Sequence, residues 1–500
     1  MLPFSIQDKP KNYLLFLAFF LPQCLFSQNG LSWSPAVSPA PASLGGSSPR
    51  IALLSDGTPV AVWGKAGTTP QIWCARWTGT AFSAPVQVNT GSIKPGVYDF
   101  GGLDMATFGQ RVFVVFEDFD LGIYLARSDD GGITWQPPVT VFATPAGMGN
   151  TLPAIAVDAA GNPIITFLLQ TASETDAHVE LARSTDGGLT FSEYTNASAP
   201  AANNSGQACE CCNQDILTAG ADTVFVAFRA NRNNLRDMWV TRSIDSAGTF
   251  TAACDVDAQD WVINSCPTSG PRLIRTAGDV LLSVWMSKGS GSTRVYASTL
   301  HSGSMVKGSE LEMPASSPAA IFNQNHPDVA GGNDTIAMVW EETGFSGTGQ
   351  DLVVAFSTTG ADGLNANLAV QSETGTQKVP QIVYAGGVFH LLYTNGVQGL
   401  LYRRGTVVAP SATKEAELEK KRLTVWPNPT GATLFFDTGA VMPENVLVRI
   451  FDAAGLLVLE KQMATTGLKG QIETESLQSG VYSIMVVADA QIHTATFLRL

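Results

Sequence analysis

The chain has 500 residues, 43 of them acidic and 29 basic, for a formal charge of −14 at pH 7. That balance excludes the basic stripe of a nucleic-acid-binding protein. With 48 glycines, 27 prolines and only 14% charged residues, the composition suits many short strands joined by tight turns, and the length exceeds one ordinary domain.

Residues 1–27 read as a leader. Lys9 and Lys11 precede an apolar run from Tyr13 to Phe26, and the small Ser27 follows. This is the layout of a secretory signal peptide cleaved after Ser27. The run contains Pro22 and Gln23 and is too short to span a bilayer. No other stretch is long and apolar enough, so no transmembrane segment is expected in the mature chain.

From residue 28 to 408 one pattern recurs seven times: strand, turn bearing Gly or Asp, strand. The copies begin at Ser48, Phe100, Leu152, Asn213, Gly270, His326 and Val379. A third strand follows each (IWCARW, IYLARS, VELARS, MWVTRS, VYASTL, LVVAFS, LLYRRG), and in most copies a shorter fourth. Units of four strands at a period near fifty-five residues predict an all-β chain folded as a seven-bladed β-propeller, or a six-bladed one if one hairpin is misread. The seventh unit lacks its outer strand, and LSWSPAVSP at Leu31–Pro39 supplies it, closing the ring with a strand from the other end of the chain.

Three of the third strands lead into a polar turn: ARSDDGGITW at 126–135, ARSTDGGLTF at 182–191 and TRSIDSAGTF at 241–250. The aspartate can accept N–H groups of its own turn, glycine permits positive φ, and the aromatic residue can fold back on the blade. The pattern resembles the Asp-box (BNR repeat) of sialidases and related propellers. It is carried by Ser128, Asp130, Gly132, Thr134 and Trp135, by Ser184, Asp186, Gly188, Thr190 and Phe191, and by Ser243, Asp245, Thr249 and Phe250 with the glycine moved to Gly248. The motif marks architecture and is expected to be a structural staple.

Topology places the starts of the inner strands and the ends of the second strands at one mouth of the central channel. Charge gathers there: Arg50, Arg272, His326 and Asp328 from the first set, and Lys65, Glu117, Asp118, Arg229, Lys288, Glu341, Glu342 and Tyr393 from the second. Strand ends meet water and carry charge in any case; alternatively these groups form a polar bowl for a glycan or an acidic ligand. In the second reading Arg50, Arg272 and Arg229 bind the ligand, arginine offering paired donors to a carboxylate. Sialidases set an arginine cluster, an acid and a Tyr–Glu pair in such a bowl. SPRIA resembles their first-strand R-I-P motif, with Arg50 in place and Ala52 where proline is expected. No third arginine and no Tyr–Glu pair is assigned; Tyr393, Glu341 and Asp118 are catalytic candidates by face alone. The resemblance therefore leaves two functions open, a glycan-recognising surface protein and an exo-α-sialidase-type hydrolase.

Beyond the leader there are six cysteines. ACECCNQD (Cys209, Cys211, Cys212) and the stretch containing Cys266 precede neighbouring inner strands, so both loops belong to the mouth; Cys74 and Cys254 lie elsewhere. An exported chain favours disulfides over a soft-metal site, with Cys209, Cys211, Cys212, Cys254 and Cys266 as candidates and no fixed pairing. No metal and no cofactor is assigned.

At 409–422 the sequence APSATKEAELEKKR has dense charge and no apolar periodicity, which reads as a linker. Residues 423–500 then alternate again, as in NVLVRIFDAAGLLVLEKQ. LTVWPNPTG, VRIFDAAG and LQSGVYSIMV, in that order, resemble the C-terminal sorting domain of the Bacteroidetes type IX secretion system. The resemblance implies a small Ig-like sandwich, export to the cell surface or medium, and the secretion machinery as partner. The terminus HTATFLRL departs from the lysine that more often ends the family.

Overall fold

A computed structural model describes residues 30–90, 93–118, 121–202, 205–314, 323–343, 349–366, 368–371, 374–408, 421–439, 445–452, 457–464, 469–488 and 491–500. The leader and residues 409–420 of the linker lie outside them. The chain divides into two compact units, Met1–Val408 and Ala409–Leu500, and is all-β apart from three short 3-10 turns among the described residues.

Among its described residues the first unit holds seven four-stranded antiparallel sheets, here I to VII, spanning residues 47–87, 103–143, 148–196, 215–255, 272–312, 324–371 and 377–407. Six are built from consecutive strands. Sheet VII takes its outer strand from Leu31–Trp33, which pairs with Gly405–Val407. The long apolar runs form the second strands, such as Arg111–Asp118 and Pro163–Thr171, which are buried nearly throughout, while inner strands such as Leu103–Phe108 and Asp215–Ala219 are buried at only some positions. Between sheets I and II lie Val60, Val62, Met105 and Val114; similar cores join II to III, III to IV, IV to V, V to VI and VI to VII. A last core returns from VII to I through Leu392, Tyr402, Ile51 and Trp63. Packing thus runs once around all seven sheets.

The recurring polar turn clasps neighbouring sheets together. Asp130 Oδ1 accepts the N–H groups of Ile133 (3.1 Å) and Thr134 (2.9 Å), Asp130 Oδ2 accepts the Thr134 hydroxyl (2.6 Å), and Ser128 Oγ accepts the Gly132 N–H (2.9 Å). Asp186 repeats the set. In the third copy Ala247, not Gly248, takes the position of Gly132, at φ +69° and with its N–H 3.0 Å from Ser243 Oγ. A side chain at Gly132 would run into Cys74 of the preceding sheet, so the close approach itself requires glycine. Trp135, Phe191 and Phe250 pack into the cores between their own sheet and the one before. The arginine preceding the serine extends the clasp to the following sheet. Arg127 Nη1 donates to Gly187 O (2.9 Å) and Arg242 Nη1 to Ser302 O (2.7 Å), each on the turn of the next sheet.

The second unit has a five-stranded and a three-stranded sheet enclosing one core, with Leu434, Phe436, Val448, Ile450, Ile484 and Phe497 at its centre. Its first strand is Lys421–Arg422, paired parallel with His493–Thr494. This pairing joins the last two residues of the charged stretch to the sheet. Charged residues are tolerated at a sheet edge, so a charge run does not reveal that its last members pair.

Candidate functional site

One residue of each inner strand forms a layer of the channel: Arg50, Asp104, Ala154, Asp215, Arg272, Asp328 and Gln381, all at the same register of their hairpins. The three aspartates accept main-chain N–H groups of the next sheet: Asp104 from Ile155 (3.1 Å), Asp215 from Leu273 (2.7 Å) and Asp328 from Ile382 (2.7 Å). Their remaining oxygens meet the arginines. Arg50 Nε lies 3.0 Å from Asp104, and Arg272 lies between Asp328 (3.5 Å) and Asp215 (3.9 Å), with Gln381 3.5 Å away. Burial pushes the Asp215 carboxyl up to about 6 against the pull of Arg272, and burial together with the charge of Arg272 lowers Arg50. The donors expected to clamp a ligand carboxylate are thus directed at carboxylates of the channel wall. Those partners are also not the Glu117, Asp118 or Glu341 that share their mouth.

Arg229 is 1% exposed and donates to the main-chain carbonyls of Ser269, Arg236 and Met286. It ties sheet IV to Ser269 of the following loop and to Met286 of sheet V. Tyr393 is 1% exposed within the core between sheets VI and VII, where its hydroxyl accepts from Arg403 Nε (3.1 Å). It does not reach the mouth. Asp118 accepts the Lys94 N–H at 3.3 Å on the mouth rim.

Glu117 and Glu341 end second strands and bond in the same way. Each accepts the N–H of a residue that precedes a proline in the next sheet, Leu152 for Glu117 and Val379 for Glu341 (2.7 Å). Leu152 and Val379 have φ of +53° and +48°, and Ser48 and His326, also before prolines, have +47° and +45°. A β-bulge marks each of these four positions. Non-glycine residues held there cost about 1–3 kcal/mol each, and such strain gathers around sites.

Residues 96–102 fold across the channel end. Ser48 Oγ donates to Tyr98 O (2.6 Å), Asn213 Nδ2 to Phe100 O (2.9 Å), and the Phe100 ring stacks on His326, which is held by Glu341 at 2.7 Å. This plug from sheet II touches sheets I and VI and the loop leading into sheet IV, so the expected central bowl is filled. Beside it remains a cleft of about 410 Å³ lined by Tyr98, Phe100, Thr151, Leu152, Gln170, Glu174, Glu210 and Cys211. Behind this lining, on the buried Glu117, the Tyr98 hydroxyl donates to Oε1 (2.7 Å) and Thr151 Oγ1 to Oε2 (2.9 Å). Tyr98 and Glu117 are thus a hydrogen-bonded Tyr–Glu pair that the sequence did not single out. A larger cleft of about 780 Å³ lies among the turns at the other end of the sheets, next to Trp77, Arg76 and Arg404. Its Trp77 is engaged with Phe82 and Tyr402 at the joint of sheets VII and I.

Burial raises Glu117 from 4.5 to about 7, although Tyr98, Leu152 and Thr151 favour its charged form. The folded state thus holds a proton that the unfolded chain releases near pH 4.5. Stability is greatest below that value and declines as pH rises through 7. The decline amounts to about 3 kcal/mol from this group. A melting temperature that falls between pH 5 and pH 8, and falls less in Glu117→Gln, is the expected result.

Cys211 and Cys266 form a disulfide that ties the cleft wall to the loop before sheet V. Cys209 and Cys212 are buried thiols with sulfurs 2.9 Å apart, and Arg236 donates to Cys209 Sγ at 3.0 Å and pairs with Glu210. Cys254, a disulfide candidate by sequence, is a half-buried free thiol on the outer strand of sheet IV. The cleft residues that the sequence did not single out are Tyr98, Phe100, Thr151, Gln170, Glu174 and Glu210; an aromatic pair in the glycine-flanked VYDFGG was the available signal.

Residues 424–498 match the family described as Secretion system C-terminal sorting domain. Among curated proteins none matches the chain. A protein of unknown function from Dyadobacter fermentans is similar over 76% of this chain and 100% of its own, at 13% identity and a TM-score of 0.45. An ulvan lyase of polysaccharide lyase family PL25 is similar over 74% and 95%, at 9% identity and a TM-score of 0.48. The Hadza microbial sialidase is similar over 59% and 63%, at 11% identity and a TM-score of 0.35. These likenesses are coarse and say nothing of activity. No helix among the described residues is long and apolar enough to cross a membrane. Residues 424–498 are a type IX sorting domain, and they mark the chain as one secreted, or attached to the outer-membrane surface, through that system.

Proposed function

We propose that the exported chain is a seven-bladed β-propeller of the Asp-box type, followed by an Ig-like sorting sandwich, and that it captures a glycan in the cleft beside the plug. The cyclic packing of seven four-stranded sheets and the strand lent by Leu31–Trp33 support the architecture. The observation that carries the function is the cleft lining: the rings of Tyr98 and Phe100 beside Gln170, Glu174 and Glu210. Aromatic faces receive the apolar faces of sugars, and carboxylates accept from hydroxyls. Such a lining repels a sugar carboxylate, so the ligand is a neutral oligosaccharide, unlike the acidic one the arginines had promised.

One observation favours a second reading, a glycoside hydrolase: the contact of Tyr98 with Glu117, a carboxyl raised to about 7. Against it, Arg50 and Arg272 are committed to Asp104, Asp215 and Asp328. Calorimetric titration with neutral and uronic-acid oligosaccharides tests the proposal. Neutral sugars are expected to bind, and Phe100→Ala and Glu210→Ala to weaken them by roughly tenfold or more, the equivalent of about 1.4 kcal/mol. Binding of the acidic sugars alone, or binding indifferent to both substitutions, would remove the cleft from consideration; release of reducing sugar that is lost in Glu117→Gln would favour the hydrolase.

A further inference from the structure

Away from the cleft, two aspartates are buried at opposed backbone positions. In sheet IV, Trp239 pairs with Asp255 and the Val256 N–H donates to Met238 O at 2.9 Å, so the antiparallel register sets Asp237 opposite Asp257. Residues opposed in this way have Cβ atoms about 4.5–5.5 Å apart, and like charges there are destabilising. Asp237 is 5% exposed and Asp257 7%. Each keeps one buried oxygen, Asp237 Oδ1 and Asp257 Oδ2, with no hydrogen-bond partner.

The surroundings concentrate negative charge further. Asp255 and Asp260 flank Asp257 in the run DVDAQD, and Glu310 also faces it. Two cations are near, and neither bonds to these two aspartates. Lys307 pairs with Glu310, and the Arg229 bonds go to the carbonyls of Ser269, Arg236 and Met286 while its guanidinium lies over Trp261. Leaving two buried acceptor oxygens unpaired is costly, and a hard divalent cation satisfies both at once.

We propose that Asp237 and Asp257 hold a divalent cation, calcium, with Asp255 and Asp260 adding charge from the same loop. Calcium fits because it takes six to eight oxygen ligands in flexible geometry, which a loop of carboxylates, carbonyls and water can supply, whereas magnesium demands a near-ideal octahedron. Thiolate-seeking metals are disfavoured by an all-oxygen donor set. Bound calcium would anchor the loop that carries Trp261 and leads to Cys266, independently of what the cleft binds.

The test uses the exported full chain after treatment with chelator. Calcium at millimolar concentration and pH 8 is expected to raise the melting temperature by a few degrees and to remain at one ion per chain after gel filtration, with magnesium far less effective. Asp257→Asn is expected to abolish the calcium shift while raising the calcium-free melting temperature, since one of two opposed charges is gone; an unchanged circular dichroism spectrum shows that it folds. A melting temperature indifferent to calcium at pH 8, or the same calcium shift in Asp257→Asn, would overturn the proposal and leave a shared proton as the occupant.

Discussion

Replacing Arg272 with alanine is expected to destabilise the first unit by about 3–5 kcal/mol, the range found when one member of a buried ion pair is removed. Arg272 stands between Asp328 and Asp215, both buried, and both already raised by burial. Without it Asp215 and Asp328 remain in the channel wall, with Arg50 still acting on Asp328 but engaged at 3.0 Å by Asp104. The double variant Arg272→Ala with Asp328→Ala should recover part of the loss, because the orphaned charge goes too, although the Ile382 N–H then loses its acceptor. Equilibrium unfolding in urea measures both. A loss below about 1 kcal/mol in the single variant would mean that the channel layer is solvated and the arginine free for a ligand.

Truncation after Val408 should have the largest effect of any change, complete loss of the protein from the cell surface and medium. The segment removed contains the sorting domain and its whole core, from Leu423 to Phe497, while the first unit keeps its own seven sheets and all seven of their cores. The truncated chain is therefore expected to fold and to accumulate in the periplasm, where fractionation and a protease-protection assay will find it. Its appearance at the surface in normal amount would show that residues 421–500 are not the export signal.

What the sequence made legible follows the range of the interactions involved. Strand alternation and turn chemistry are local, so all seven hairpins and the hydrogen bonds of Asp130, Asp186 and Asp245 could be anticipated; the latch at Leu31–Trp33 is long-range, and was legible because the seventh unit lacks its own outer strand. The placement of Arg50 and Arg272 at one register was readable too. Their partners were not, because Asp104 and Asp328 approach from other repeats more than fifty residues away. Tyr393 lies two residues inside the strand Val388–Asn395, where both faces are covered: Tyr393 packs in the core between sheets VI and VII and its neighbour Leu392 in the core between VII and I, so its burial comes from sheets on either side rather than from the strand's own pattern. Tyr98 escaped notice because it sits in a loop, whose path across the channel end is set by contacts with Ser48, Asn213 and His326 rather than by any period. The cysteine pairing was undetermined for the same reason. Only the fold brings Cys211 to Cys266, across 55 residues.

The central claim is that the cleft beside the plug, and no other surface, receives a neutral sugar. A crystal structure of the first unit soaked with a neutral oligosaccharide tests it most directly. The expected result is a sugar ring against Tyr98 or Phe100, with its hydroxyls bonded to Glu174, Glu210 or Gln170. A sugar seated instead in the larger cleft beside Arg76 and Arg404, with the Tyr98–Glu117 cleft empty at saturating ligand, would contradict the account.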